Sequence, residues 1–436
     1  MSVNVKTTIN LRHQHRRLHS GKILLFTSLL FVLLLFSSGF IYVFSGGAYS
    51  FALGVSNKVV SNETDLRNAV NDVSGSTTIA LNNDITLTET LVIPANKDIT
   101  LTSTSASKFF KLIGGYRDLP ADPYNPYYPT PVITVKGGGV LRLDGIVVTC
   151  AHFTWNKIIR VDVCGALILC KGEISGSDYS GDGVDNSGVF TILGGTISNV
   201  KPGGQGNGRG NGVSNSGYGT FSMFGGEISN NIVGVCNAQG YNGAIGESNY
   251  GTFSMSGGVI SNNDEGGVQN SGVFSMFGGE ISKNVGGNLL QSGGGVSNSG
   301  VFSMRGGMIS NNQATYGGGV YNWPDGNFSL FENGIISNNK AQVGGGVYNA
   351  GTFNRRGGVI SDNTATQYSD IYHSDNSITN DDKTTDYRVF VGSIVVIVSV
   401  IVGGVFFYFK KNTKKQMTNK QNQSQQHNIQ PAIILR

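Results

Sequence analysis

Residues 267–284 read GVQNSGVFSMFGGEISKN, and residues 295–312 read GVSNSGVFSMRGGMISNN. Each stretch holds three short apolar pieces separated by Gly, Ser and Asn. In the middle piece, Phe and Met are two residues apart, so in a strand both face one side and the intervening Ser faces the other. No piece is long enough for a helix, and the Gly residues oppose one. The phrase therefore predicts three strands and three turns per repeat.

The phrase recurs between Gly172 and Asn363, which indicates a solenoid. About four side chains per repeat face inward, and their burial contributes roughly 6–12 kcal/mol. Ordering the roughly 20 residues of one coil costs more, at ~1–2 kcal/mol each. Single coils therefore cannot fold alone, and neighbouring coils must stack. The clearest copies of the phrase begin at Gly212, Gly267, Gly295, Gly319 and Gly346, and one predicted inward set is Val320, Phe328, Leu330 and Ile336.

An Asn closes the first apolar piece of most copies. Stacked in one turn, these side chains would form a ladder that satisfies buried polar groups from coil to coil. A structural role is favoured over a catalytic one, because nearly every copy has the residue. The predicted ladder comprises Asn186, Asn215, Asn237, Asn270, Asn298, Asn322 and Asn349.

Both ends of the solenoid depart from the repeat. Thr64, an N-cap residue type, precedes Leu66, Ala69 and Val70 at helical spacing, which predicts a short amphipathic helix over the first coil. In the last clear copy, Arg355 replaces an inward Met. Because a buried charge is costly, we expect that coil to be terminal and partly solvated.

Two hydrophobic segments flank the repeats. Ile23–Phe44 follows a basic leader and fits either a cleaved secretory signal or a retained signal anchor. Val389–Phe409 has no charged residue and the length of a membrane span, and the Lys residues after it predict a cytoplasmic end. The residues between the two segments are therefore expected outside the cell, with both termini cytoplasmic if the signal is retained.

Six regions follow from these features. They are a basic leader with a signal peptide or anchor (1–50), a cap with irregular early coils (51–150), regular coils (151–366), an acidic linker (367–388), a transmembrane helix (389–409) and a basic cytoplasmic tail (410–436). Depending on cleavage, the chain is single-pass or double-pass.

Carboxylates were considered as catalytic groups. Glu227 and Glu280 share a repeat position two coils apart, roughly 10 Å at ~4.8 Å per coil, near the upper limit for an inverting glycosidase pair. Val259 occupies the coil between them, so a variable, solvent-facing position is the favoured interpretation. We expect no catalytic residue.

An acidic cluster and a cysteine pair complete the candidates for metal or redox chemistry. Asp178, Asp182 and Asp185 could bind calcium, but their spacing lacks the Glu of an EF-hand loop, and a plain acidic loop is favoured. No metal site and no cofactor are expected. Cys150 and Cys170 lie about one coil apart and predict one disulfide, with buried thiols as the alternative.

Two aromatic features are candidate contact surfaces. Phe224, Phe277 and Phe331 each follow the inward residue of a strand, so by alternation they form an exposed stripe. Alternatively, the chain bends at the adjacent Gly pair and tucks these rings into a corner. The segment containing Tyr124, Tyr127 and Tyr128 suits a sugar or protein partner, or packs as a cap. Two glycosylation sequons begin at Asn62 and Asn327.

The phrases Gly318–Asn322, Gly345–Asn349 and Gly357–Ser361 resemble prokaryotic adhesin-like right-handed parallel β-helix repeat proteins, and more loosely the repeats of chlamydial polymorphic membrane proteins. The resemblance covers about Val55–Ile378. It implies an all-β, pectate-lyase-like fold, a right-handed, single-stranded parallel β-helix. It is specific for the fold and not for function, since lyases and adhesins share this architecture.

The leading expectation is a membrane-anchored cell-surface adhesin or interaction protein whose partners are carbohydrate or surface proteins of another cell. The alternatives are a polysaccharide-acting β-helix enzyme and a structural cell-envelope component. Nucleic-acid binding is not expected, because acidic residues outnumber basic ones between the two hydrophobic segments. The oligomeric state is left open.

Overall fold

A computed structural model describes residues 56–72, 75–114, 131–150, 157–176, 181–201, 210–241, 248–287 and 293–380. Within these ranges the chain is a solenoid of short parallel strands with one helix, as predicted. The described part contains no helix that is long and apolar enough to cross a membrane. The two predicted hydrophobic segments, the linker beyond residue 380, Tyr124, Tyr127, Tyr128 and Asp178 lie outside the described residues.

The N-terminal coils are irregular in length but regular in pairing. In β2 and β5, buried residues alternate with half-buried ones, and Ile79 and Leu81 pair in register with Leu101 and Ser103. The elements are β1 (Ser56–Val60), α1 (Glu63–Asn71), β2 (Ser76–Leu81), β3 (Ile85–Leu87), β4 (Leu91–Ile93), β5 (Asp98–Ser103), β6 (Lys111–Gly114), β7 (Ile133–Val135), β8 (Val140–Cys150), β9 (Ile159–Val161) and β10 (Ala166–Ser175).

Helix α1 begins earlier than its sequence pattern suggested. Asn62 is the N-cap, and its Oδ1 accepts a hydrogen bond from the backbone N–H of Asp65 at 2.9 Å. Thr64 lies in the first turn, so its prediction as the cap was wrong; Asn is an equally favoured cap residue and was available two positions earlier. Leu66 and Val70 are buried against the first coils, as expected.

The regular coils each contribute three strand positions, as the repeat predicts. A two-stranded antiparallel hairpin, formed by the eighteenth and nineteenth strands, interrupts one of them. The strands are β11 (Val184–Asn186), β12 (Val189–Ile192), β13 (Thr196–Ser198), β14 (Asn211–Asn215), β15 (Thr220–Met223), β16 (Glu227–Ser229), β17 (Val233–Asn237), β18 (Gln239–Tyr241), β19 (Ser248–Tyr250), β20 (Thr252–Met255), β21 (Val259–Ser261), β22 (Val268–Asn270), β23 (Val273–Met276), β24 (Glu280–Ser282), β25 (Val296–Asn298), β26 (Val301–Ser310), β27 (Val320–Asn322) and β28 (Asn327–Ser337).

Two long parallel sheets run along the solenoid. Strands of the Val-x-Asn type, such as β25 and β27, form an 11-stranded sheet in the described part, and most other strands form a 20-stranded sheet. Within the repeats, equivalent residues pair: Phe253 lies beside Phe274, and Ile260 beside Ile281. This register fixes every column of side chains along the axis.

The core consists of these columns. Seven Phe side chains with no solvent exposure stack with neighbouring ring centroids between 4.6 and 5.0 Å apart. The predicted inward residues Val320, Phe328, Leu330 and Ile336 are likewise fully buried. The stacked rings are Phe190, Phe221, Phe253, Phe274, Phe302, Phe328 and Phe353.

The Gly pair of the repeat marks the bend between two strand positions. Gly279 has φ +86°, and a Cβ there would lie 2.6 Å from Cε of Met255 in the preceding coil. Only Gly fits this turn, because both the backbone conformation and the close packing exclude a side chain.

The solenoid continues past residue 366, where the sequence predicted a linker. Tyr372 pairs with Tyr348, and Ile378 pairs with Thr352, so a further coil follows the one expected to be terminal. Arg355 does take the column position after Leu330 and is half-buried, as its charge requires. The last strands are β29 (Lys340–Val343), β30 (Val347–Asn349), β31 (Thr352–Arg356), β32 (Val359–Ser361), β33 (Thr364–Gln367), β34 (Ile371–His373) and β35 (Ile378–Asn380).

Candidate functional site

The predicted Asn ladder is present and has a structural role. Each side chain from Asn186 to Asn322 donates its Nδ2 to Oδ1 of the next, at 2.7–2.8 Å. All seven members are buried. The last member, Asn349, meets Nδ1 of His373 at 3.4 Å. These amides satisfy one another and nearby backbone carbonyls, which leaves no group directed at a ligand.

A second buried Asn ladder was missed at the sequence level. Its members donate Nδ2 to Oδ1 of the next at 2.8–3.2 Å, and their backbone N–H groups donate to the same oxygens. The Asn that ends each Ile-Ser-x-Asn phrase was the available signal. The ladder comprises Asn231, Asn263, Asn284, Asn312, Asn339 and Asn363, and it ends on Oδ1 of Asp370 at 3.0 Å.

The predicted Phe stripe lies on the outside of the 20-stranded sheet, next to the Gly bend. Phe224, Phe277 and Phe331 are each half-buried. They are therefore neither a fully exposed stripe nor rings fully tucked into a corner. The guanidinium of Arg305 lies 4.2 Å from the ring centroid of Phe331, and that of Arg356 lies 5.7 Å away. Arginines from the two adjacent coils therefore cover much of one ring by cation–π contact, and the stripe is not continuously apolar.

The ladder register separates the two cysteines that were predicted to bridge. Cys170 lies at a bulge beside Leu143 and Asp144 of β8, whereas Cys150 ends β8 six residues farther on. A disulfide needs Cα atoms within about 7 Å, so the Cys150–Cys170 bridge does not fit this register. The coil at this point is 26 residues long, since Leu169 pairs with Leu143 and Ile174 with Val148, so the 20 residues between the cysteines do not bring them into register.

The sequons sit at structured positions. Asn62 caps helix α1, and its Nδ2 also donates to Oδ2 of Asp65 at 2.7 Å. Asn327 is exposed, and its Oδ1 accepts from Nδ2 of Asn354 at 2.9 Å. The side chain of each sequon Asn thus already has a hydrogen-bond partner.

The carboxylates considered for catalysis stay apart. Glu227 and Glu280 both pair with Val259, which lies between them, and both are half-buried on the sheet surface. Two coil steps of about 4.8 Å separate them, as the sequence suggested.

The acidic cluster is an ion-paired network. Lys157 bonds to Asp185, and Nδ2 of Asn211 donates to Oδ1 of Asp182 at 2.9 Å. The pKa of Asp182 is raised to about 6: burial is the largest cause and the Asp185 carboxylate adds to it, while Lys157 and the hydrogen bonds from Asn211 oppose the rise. Among the described residues, no group of three or more His, Cys, Asp or Glu side chains could hold a metal ion.

Among the described residues, a different surface brings six aromatic side chains together. Tyr321, Tyr348 and Tyr372 occupy one outward column at the C-terminal end of the 11-stranded sheet. Neighbouring ring centroids in this column are 4.8 and 4.7 Å apart. We call the aromatic face the set Tyr316, Tyr321, Trp323, Tyr348, Tyr368 and Tyr372.

The column and its flanking rings present different surfaces. Tyr321 and Tyr348 are stacked with only 14° between their planes, so their faces cover one another. The flanking rings are inclined: Trp323 lies at 66° to Tyr321, and Tyr316 lies at 74° to Tyr348. Because side chains stand roughly perpendicular to a sheet, the column turns its hydroxyl edges outward. The inclined rings add apolar area beside these hydroxyls.

The aromatic face is rigid. The backbone of the Tyr column is held in the 11-stranded sheet, and Nε1 of Trp323 donates to Oγ of Ser297 in the preceding coil at 2.9 Å. Tyr316 is 38% exposed and Tyr368 is 60% exposed, while the other four rings are half-buried. The rings are therefore ordered before any partner arrives.

The aromatic face is also uncharged. Burial raises the pKa of Tyr321 and of Tyr348, and the neighbouring groups that add to these shifts are other tyrosines. None of the six members is an acidic or basic residue, and the carboxylate of Asp370 beside them accepts a hydrogen bond from Asn363. Uncharged rings with a row of hydroxyls can offer apolar contact and hydrogen bonds together, which suits an uncharged, hydroxyl-rich ligand.

Sequence reasoning found the strands of this surface but not the surface. The Tyr of the Val-Tyr-Asn phrases at Tyr321 and Tyr348 alternates with inward residues, so its outward direction was readable. Tyr316 and Tyr368 lie in turns of variable length, which carry no register signal.

Comparison with protein-family models, with curated proteins and with solved structures finds no match for this chain.

Proposed function

We propose that the chain is a cell-surface adhesin or interaction protein that binds carbohydrate of another cell through the aromatic face. The observation that carries this proposal is the rigid, uncharged cluster of six aromatic side chains on the outside of the 11-stranded sheet. Preordered Tyr and Trp rings provide large contact areas at little conformational cost. Clusters of exposed aromatic side chains often mark recognition surfaces.

Display outside the cell is part of the same proposal. Its support is the sequence pattern of Ile23–Phe44 and Val389–Phe409, which would anchor the chain in the membrane and leave the solenoid extracellular. The resemblance to adhesin-like repeat proteins adds a right-handed winding of the coils, with α1 covering the N-terminal end. A stacked tube anchored at its C-terminal side is a simple way to present a surface to a neighbouring cell.

Binding of the full-length chain to a panel of neutral and anionic glycans tests the proposal. We expect retention on neutral glycans, with little change between about 0.05 and 0.5 M NaCl, because no charged side chain takes part. The double change Trp323→Ala and Tyr321→Ser is expected to weaken retention at least about tenfold, the loss of roughly 1.4 kcal/mol of contact.

A matched control is Tyr218→Ser, because Tyr218 is 56% exposed but lies outside the aromatic face. It should bind like the parent. Retention on no glycan at all, or equal retention by the double variant, would contradict the proposal. Release of shortened sugar chains during the assay would instead favour a polysaccharide-acting enzyme, and self-assembly without glycan binding would favour a structural envelope component.

A further inference from the structure

Tyr368 has a backbone conformation that Tyr rarely adopts. Its φ is +57°, in the left-handed region. Gly occupies the equivalent position in earlier coils, with φ +62° at Gly317 and +64° at Gly344. Backbone hydrogen bonds establish the equivalence: Gly318 donates to the carbonyl of Gly344, and Gly345 donates to that of Tyr368. The final described coil thus places a bulky residue where the three coils before it use Gly.

Folding does not account for this choice. A side chain with a Cβ is disfavoured at positive φ, and for a bulky residue such a conformation is an outlier. Tyr368 is 60% exposed, so burial of its ring recovers only part of that penalty. Strained, exposed residues of this kind concentrate at functional sites, where the surrounding structure holds them in place.

The strain places one more ring on the aromatic face. The centroid of Tyr368 lies 5.0 Å from that of Tyr372, with 51° between the planes. Tyr372 in turn lies 4.7 Å from Tyr348, so Tyr368 extends the row of aromatic rings at the C-terminal end of the solenoid. A Gly at residue 368 would keep the coil and remove this contact.

We infer that Tyr368 is a ligand-contact residue for a neutral saccharide chain, held in an unfavourable backbone conformation so that its ring completes the aromatic face. This inference rests on the proposed function and adds a specific residue and a ligand class to it. The ligand class follows from the side chains of the face itself, which offer aromatic rings, the Tyr hydroxyls and the Trp323 indole and include no acidic or basic residue. A neutral sugar ring matches this with apolar C–H faces and hydroxyl edges.

The test compares Tyr368→Asn and Tyr368→Phe in the full-length chain. Asn tolerates the left-handed conformation but lacks the ring, whereas Phe keeps both the ring and the strain. The probes are cellohexaose and N-acetylchitohexaose, which are uncharged, with dextran sulfate as the anionic comparison. The second readout is hydrogen exchange of the backbone amides of β34, which reports local stability without any ligand.

The expected results separate function from folding. Tyr368→Asn should weaken binding of a neutral hexasaccharide about tenfold while slowing exchange in β34 about fivefold. Tyr368→Phe should stay within about twofold of the parent in both measurements. Tyr218→Asn, at an exposed Tyr elsewhere, should leave both unchanged.

Three outcomes would overturn the inference. If the parent binds a neutral hexasaccharide and Tyr368→Asn binds equally well, the inference fails while the proposed function stands. If exchange in β34 does not slow in Tyr368→Asn, the argument from strain fails. If the parent binds neither neutral probe, or only dextran sulfate, the proposed function fails and the inference with it.

Discussion

Asn322 donates its Nδ2 to Oδ1 of Asn349 at 2.7 Å, and both side chains are fully buried. The same Nδ2 also lies within 3.1 Å of the carbonyl of Gly326 and 3.0 Å of that of Thr352. One amide therefore joins two coils at the level of both side chain and backbone. Its removal leaves several buried acceptors without a donor.

From this follows the first prediction. Asn322→Ala should destabilise the solenoid by about 2–4 kcal/mol, since unsatisfied buried polar groups cost ~1–3 kcal/mol each. The midpoint of urea unfolding measures the change. The control is Asn354→Ser in the same region, where a half-buried amide bonded only to the exposed Asn327 and Asn380 and to Ser329 is replaced by the Ser of earlier coils; it should cost less than about 1 kcal/mol. A similar decrease in the free energy of unfolding in both variants would contradict the prediction that the buried Asn ladder stabilises the solenoid.

A second prediction concerns Lys283. Its φ is +58°, and the equivalent residues of neighbouring coils are Asn262 and Asn311, whose Nδ2 groups donate to the preceding Ser at 3.1 Å. Because Asn tolerates this conformation better, Lys283→Asn should stabilise the protein by about 0.5–1 kcal/mol in thermal unfolding. Lys283→Arg keeps the strain and should change nothing. A gain in Lys283→Arg as large as that in Lys283→Asn would refute the explanation.

A third prediction is that the free energy of unfolding depends on pH through Asp182. Its folded-state pKa is about 6, above the ordinary value of 3.8 for an Asp carboxyl, so between these pH values the folded protein retains a proton that the unfolded chain has lost. Stability should therefore fall as pH rises from about 4 to about 6 and level off above. Asp182→Asn removes this fall and should be more stable by ~2–3 kcal/mol at pH 8, with little difference below pH 4.

Chemical unfolding at a series of pH values measures this profile. The comparison variant is Asp325→Asn, at an exposed carboxylate, which should unfold like the parent at every pH. A parent whose stability rises between pH 4 and 6, with Asp182→Asn parallel to it, would mean that Asp182 is not held protonated.

The Phe stripe gives a fourth prediction. Changing Phe224, Phe277 and Phe331 to Ser should leave glycan binding within about twofold of the parent, because these rings belong to the 20-stranded sheet and not to the aromatic face. The half-buried rings should still contribute about 1 kcal/mol each to stability. Loss of binding without loss of folding, followed by circular dichroism, would move the site to the stripe.

The sequence determined the repeat strands well, for a physical reason. Inward residues such as Phe274 and Ile281 recur with fixed spacing inside each phrase, and strand alternation converts that spacing directly into direction. The stacking of Asn298 on Asn322 follows from the same register. Strands β3 and β4 show the same alternation, with a buried residue on each side of an exposed one.

The segments between phrases were not predictable in the same way. Their lengths vary, so neither the approach of Tyr316 to Tyr348 nor the bulge at Cys170 could be read from spacing. The extra coil at Tyr372 was hidden because His373 stands where the pattern expects Asn. The aromatic face is recognised only when the pairing of β30 with β34 places Tyr372 next to Tyr348.

Each rung of the two amide ladders has nearly the same partners as the rung before it. Deleting or duplicating one whole copy of the phrase, for example residues 267–294, would therefore rejoin chemically equivalent surfaces and leave the remaining hydrogen bonds intact. Such a change would move the tyrosine-bearing end relative to α1 by a single increment of about 4.8 Å. Unequal recombination between copies could therefore change the length of the solenoid one coil at a time. The aromatic face would stay the same.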